Sequence, residues 1–149
     1  MSDQQLIDLY SGRILALATE IPLTEPLSEP QISARKRAPL CGSTITVEFD
    51  IAQGQITRFA QNVKACALGQ AAASVVGQNI LGRSLDEVEL ARTQLIAMLK
   101  AGGPAPQPPF DELKVLMPAR DFTNRHASIL LSLDAIVEGW RSYLTAQSA

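Results

Sequence analysis

Histidine occurs once in this chain of 149 residues and cysteine twice, and aromatic side chains make up only 5% of it. With one histidine, no nucleophile motif and no glycine-rich phosphate loop, an enzyme active in its own right is not expected. A basic surface is missing as well: thirteen Lys and Arg stand against fifteen Asp and Glu, for a net charge of -2. The densest basic spot, Arg35-Lys36-Arg37, lacks aromatic neighbours and reads as a solvated loop, so no nucleic-acid partner is expected. No apolar run approaches the roughly 20 residues that span a bilayer. The first twenty residues lack the basic, apolar and small-residue regions of a secretory signal. These absences lead to the expectation of a soluble, cytoplasmic protein with no membrane partner. In such a reducing compartment two cysteines are more often buried thiols, metal ligands or redox groups than a disulfide.

What is present suffices for one core. The chain is 46% hydrophobic, and its length is that of one ordinary domain, residues 1–149. Leu6, Leu9, Tyr10, Ile14 and Leu17 recur at steps of three and four, which predicts an amphipathic helix over 4–19. "IPLTEPLSEP" carries three prolines in ten residues and reads as an extended connection. In "APLCGSTITVEFD", Ile45, Val47 and Phe49 alternate with Thr44, Thr46, Glu48 and Asp50, the pattern of a half-buried strand. Gln53-Gly54 marks a turn, and "QITRFAQNV" returns as the second strand of a hairpin.

After Cys66 the uncharged segment "ALGQAAASVVGQNI" predicts a small-sided helix lying close against the sheet and stopped near Gly82. Ser84 and Glu87 form an S-x-x-E capping box for a helix whose inner face is Val88, Ala91, Leu95, Ile96 and Leu99. The Pro/Gly-rich stretch 101–109 is a surface connection, and "FDELKVLM" predicts a short helix before Pro118. Ile129, Leu133, Ile136, Val137, Trp140 and Leu144 trace a long last helix.

The chemistry-bearing inventory is Cys41, Cys66 and His126. All three sit at ends of elements. Cys66 opens a helix, where unpaired N–H groups and the helix dipole favour a thiolate. Spacing alone does not force the three to converge on one ion.

Pro39-Leu40-Cys41-Gly42 before a strand, a second cysteine twenty-five residues later at a helix start, and "LGRSLDEV" after that helix together resemble the IscU/NifU/SufU family of iron–sulfur cluster assembly scaffolds. The resemblance runs from about Ala34 to Ile136. It implies an α+β fold: a small three-stranded antiparallel sheet packed against several helices. It also implies a role in cluster assembly, with an iron–sulfur cluster or iron, zinc being possible, held through Cys41, Cys66 and His126. Cysteine desulfurase and other assembly proteins are the partners it implies.

Two departures stand out. Ser43 occupies the family's aspartate position, and Ala127, in "RHASIL", occupies that of the third cysteine, the usual acceptor of persulfide sulfur. A structural zinc site takes four protein ligands and a [2Fe-2S] cluster two per iron, so the three residues fall one short. The fourth ligand is left to Asp121, solvent, a second subunit or a partner. A binding module that keeps the fold and docks on assembly partners without a cluster is the alternative, and a dithiol redox protein using Cys41 and Cys66 is a third.

Overall fold

A computed structural model describes residues 11–148, so the part of the expected first helix that carries Leu6, Leu9 and Tyr10 lies outside the described residues. The part within them is helix α1, Gly12–Thr19, capped by the Ser11 hydroxyl on the Ile14 N–H and burying Ile14 and Leu17. After the extended segment come strands β1 (Ile32–Arg37), β2 (Thr44–Ala52) and β3 (Gln55–Lys64), then helices α2 (Ala67–Asn79) and α3 (Leu85–Lys100). Two 3-10 segments, Asp111–Asp121 and Thr123–Arg125, lead into helix α4, His126–Ser148.

The sheet is antiparallel in the order β1-β2-β3, which gives the expected α+β architecture. The alternation in β2 is realised: Ile45, Val47 and Phe49 are buried while Thr44, Thr46 and Glu48 are half-exposed. β1 corrects the reading of Arg35-Lys36-Arg37 as a loop. These residues pair with Thr46, Ile45 and Thr44 of β2. Three consecutive cations mask a period of two, because Lys36 alone points to the helix side and pairs with Glu138 at 2.6 Å.

Helix α4 covers the buried face of β1 and β2. Trp140 packs on Phe49 with ring centroids 5.9 Å apart. Gly139 permits this approach, since a Cβ there would stand 2.8 Å from that of Ala34. Helix α2 is buried on most of its surface through Leu68, Ala71, Ala72, Val75 and Val76. It lies chiefly between α1 and α4 and meets the sheet mainly at β3. Burying each of its larger aliphatic side chains is worth about 1.5–3 kcal/mol.

The Ser84–Glu87 capping box forms in both directions and contributes about 1 kcal/mol. Arg92–Asp134 and Arg141–Glu89 bridge α3 to α4. The expected helix before Pro118 is instead a 3-10 segment that runs through that proline. A proline supplies no N–H, and Leu113, Leu116 and Ala119 bury one face at the three-residue repeat of a 3-10 turn. No helix among the described residues is long and apolar enough to cross a membrane.

Candidate functional site: two thiols joined by two serines

Cys41 lies in the turn that reverses the chain from β1 into β2. The Ala38 N–H donates to the Ser43 carbonyl at 2.8 Å, and the Gly42 N–H to the Ala38 carbonyl at 2.9 Å. Closing so tight a turn puts Gly42 at φ +71, a backbone region that glycine enters without strain. The turn leaves the Cys41 side chain exposed and buries Ser43 at 4% exposure.

Cys66 enters from the opposite side, as the N-cap residue of α2, directly after β3. Cross-strand pairing brings the two approaches together, because Thr44, next to Ser43, is opposite Lys64. The first turn of α4 supplies Ser128, buried at 1% exposure. A chain of polar contacts then links the thiols: Cys41 Sγ to Ser43 Oγ at 3.1 Å, Ser128 Oγ donating to Ser43 Oγ at 3.1 Å, and Ser128 Oγ to Cys66 Sγ at 3.5 Å. The cleft over them has a volume of about 470 Å³, and Leu40, Lys64, Asn124 and Arg125 contribute to its walls.

Electrostatics favour thiolates at both positions. At Cys41, partial burial is the largest influence and pushes the thiol up. The Ser43 hydroxyl and N–H, the Ser128 hydroxyl and the Arg125 charge outweigh it and hold the group below its ordinary value. At Cys66 burial again pushes upward most strongly. The Ser128 hydroxyl, the Gly69 N–H, the Arg125 side chain and the Leu68 N–H together reverse it. No full capping hydrogen bond to Sγ is formed, yet the N–H groups at the start of α2 stand close enough to favour negative charge there.

The structure does not bring His126 to this cleft. The ring is buried at 1% exposure and its Nε2 stands 3.0 Å from the carbonyl oxygens of both Ala119 and Arg120. Two carbonyl acceptors require a proton on Nε2, and the buried Nδ1 has no hydrogen-bond partner among the described residues. Asp121 is exposed at the end of the longer 3-10 segment. Among the described residues no three Cys, His, Asp or Glu side chains form a metal-sized group. Ala127, half-buried, packs against the core.

Sequence reasoning missed Ser128, Arg125 and Gly69. A Cβ on Gly69 would stand 2.3 Å from Ser128 Oγ, so the bare backbone of α2 makes room for the serine that joins the thiols. The G-x-A-A-A texture of the helix, Gly69 to Ala73, was visible in the sequence, but its partner across the fold was not.

The fold and cleft together define an α+β domain with two thiols beside the ends of neighbouring strands. No protein-family model matches the chain, and no curated protein is significantly similar to it. Among solved structures, the N-terminal region of a nitrogen-fixing NifU-like protein from Brucella abortus is 42% identical, with a TM-score of 0.91 over 95% of this chain and 98% of that one. The chain belongs to the family of NifU-like N-terminal domains. The fold is shared with a putative iron–sulfur cluster assembly scaffold of the SUF system from Fervidobacterium islandicum AW-1, at 16% identity and a TM-score of 0.80, covering 88% of this chain and 96% of that one. A hypothetical protein at 18% identity has the same fold, with a TM-score of 0.72 over 88% of this chain and 96% of that one.

Proposed function

We propose that this protein serves iron–sulfur cluster assembly in the cytoplasm, as a scaffold-type carrier without turnover of its own, and that Cys41 and Cys66 hold iron or a labile cluster as cargo. The observation that carries this reading is the pair of thiols, both shifted towards thiolate, joined through Ser43 and Ser128 across an open cleft. Kinship with the NifU-like domain and the fold shared with a SUF scaffold support it.

The donor set fits half of a cluster site. Thiolates are the soft ligands that iron–sulfur chemistry uses, and two of them fill the protein positions of one iron. The remaining positions are then supplied from outside the chain, across the open side of the cleft, by an assembly partner. His126 serves this site by position: it ties the 3-10 segment to the first turn of α4, from which Ser128 reaches in.

With Ala127 in place of a thiol, sulfur from a desulfurase persulfide goes to Cys41, the more exposed thiol. Its thiolate attacks the outer sulfur, a new S–S bond forms, the donor S–S bond breaks, and the donor cysteine leaves as thiolate.

The test is anaerobic reconstitution with ferrous iron and sulfide, followed by assay of bound iron and acid-labile sulfide. The expected result is retention by the wild type, with Cys41→Ala and Cys66→Ala each weakening it by more than about tenfold. Equal, negligible retention by all three proteins overturns the cargo reading and favours a docking module without a cluster, for which Ser43 and Ala127 speak.

A further inference from the structure

The two edges of the sheet are treated differently by the rest of the chain. The β3 edge is covered: the Gln61 N–H donates to the Leu23 carbonyl at 2.9 Å, the Ile56 N–H to the Arg83 carbonyl at 3.0 Å, and the Gly82 N–H to the Ile56 carbonyl at 2.8 Å. Among the described residues nothing pairs with the β1 edge. The Ala38–Ser43 hydrogen bond sets the phase of the antiparallel ladder. By alternation, Lys36, Ala34 and Ile32 bond to β2, and Ser33, Arg35 and Arg37 turn their N–H and C=O groups outward. Those groups have no partner among the described residues.

The same three residues point their side chains to the open face of the sheet. They share it with Lys64, which stands in line with Arg37 and Thr44 across the strands. Arg35, Arg37 and Lys64 are exposed and form no ion pair among the described residues. On the helix side of the edge, a groove of about 480 Å³ runs between β1 and α4, with Ala34 and Gly139 leaving room and Glu138, Ser142 and Tyr143 along its far wall.

We infer that β1 accepts an acidic, extended segment of a partner protein as an added fourth strand. An exposed strand edge offers main-chain hydrogen bonds in register. Alternate side chains of the incoming strand point to opposite faces. On one face they meet Arg35 and Arg37, which select carboxylates, and on the other they enter the groove beside Gly139, which selects small or β-branched side chains. Basic residues also blunt an edge against self-pairing, and a second copy of β1 would bring cation against cation, so the occupant is acidic rather than another copy. β1 runs directly into the turn that carries Cys41, so a segment seated here places its partner beside the thiol cleft.

The probe is an acetylated and amidated heptapeptide of alternating glutamate and valine. Its binding to the full chain is followed by backbone amide NMR and by fluorescence anisotropy. The amide signals of Ser33, Arg35 and Arg37 are expected to shift most and to gain protection from exchange, and added salt is expected to weaken binding. A peptide of the same charge, N-methylated at alternate positions, is expected to bind roughly tenfold more weakly or worse. The paired variant Arg35→Glu with Arg37→Glu is expected to prefer the lysine–valine peptide, with unchanged far-ultraviolet circular dichroism. Equal binding of the N-methylated and parent peptides to the wild type overturns strand addition. Absence of perturbation at the three amides overturns the site itself.

Discussion

Ser43 and Ser128 stand 85 residues apart in the chain, and their hydroxyl oxygens meet at 3.1 Å, forming the middle link between Cys41 and Cys66. Ser43 bears on Cys41 alone, whereas Ser128 lowers both thiols. This asymmetry makes the two hydroxyls separable by experiment.

Both thiols are held below their ordinary value in the folded chain. The thiolates therefore add to folded stability as pH climbs from the lowered values to the ordinary thiol value, and that gain is lost as pH falls back through them. Ser43→Ala is expected to raise the pH midpoint for alkylation of Cys41 only. Ser128→Ala is expected to raise both midpoints and to flatten the rise in stability. Alkylation by iodoacetamide, read site by site by mass spectrometry across pH, checks this, and identical profiles in the two variants would contradict it.

Ala127→Cys places a third thiol one residue before Ser128, at the first turn of α4. Retention of iron and acid-labile sulfide is expected to rise about tenfold or more over wild type, and Ser43→Asp is expected to add a hard oxygen ligand with a smaller gain. Elemental and sulfide assays after anaerobic reconstitution decide it.

Gly69→Ala introduces a methyl group where Ser128 Oγ now lies, 2.3 Å from the ideal Cβ position. Overpacking of this kind costs about 1–3 kcal/mol. The expected outcome is a lower denaturation midpoint together with a raised alkylation pH for Cys66, as Ser128 is pushed off the thiol. A drop in stability with both thiols unchanged would mean that the serine link does not set their reactivity.

His126→Ala leaves the Nε2 contacts to Ala119 and Arg120 unmade. Loss of a buried hydrogen-bonded group costs about 1–3 kcal/mol, visible in chemical denaturation. Iron retention by the folded variant is expected to stay within about threefold of wild type, while loss of all binding would place the imidazole among the ligands.

The parts of this molecule governed by neighbours in sequence were legible from it. β2 showed its alternation, α3 its capping box and α4 its apolar stripe, because each signal lies within one or two turns or pleats. β1 was hidden because an edge strand with one open face tolerates Arg35-Lys36-Arg37, and its pairing with Thr44, Ile45 and Thr46 is set across a turn. That Cys41 and Cys66 stand at element ends was legible, but that both line one cleft was not. Ser128 was not, since a serine beside Ala127 carries no chemistry until the fold sets it between two thiols. The fate of His126 was equally hidden: its ring turns to the carbonyls of Ala119 and Arg120, and only the 3-10 segment, itself mistaken for a shorter helix, puts those carbonyls there.

Cys41 and Cys66 bracket the β2–β3 hairpin, one just before it and one just after it. Anything gripped by both sulfurs therefore acts as a clasp across the ends of the hairpin. In mechanical terms, a group so gripped and the hairpin would be loaded in parallel: opening the strands would require letting go of it, and letting go of it would loosen the strands. The protein's own unfolding rate would then gauge whether its cleft is full.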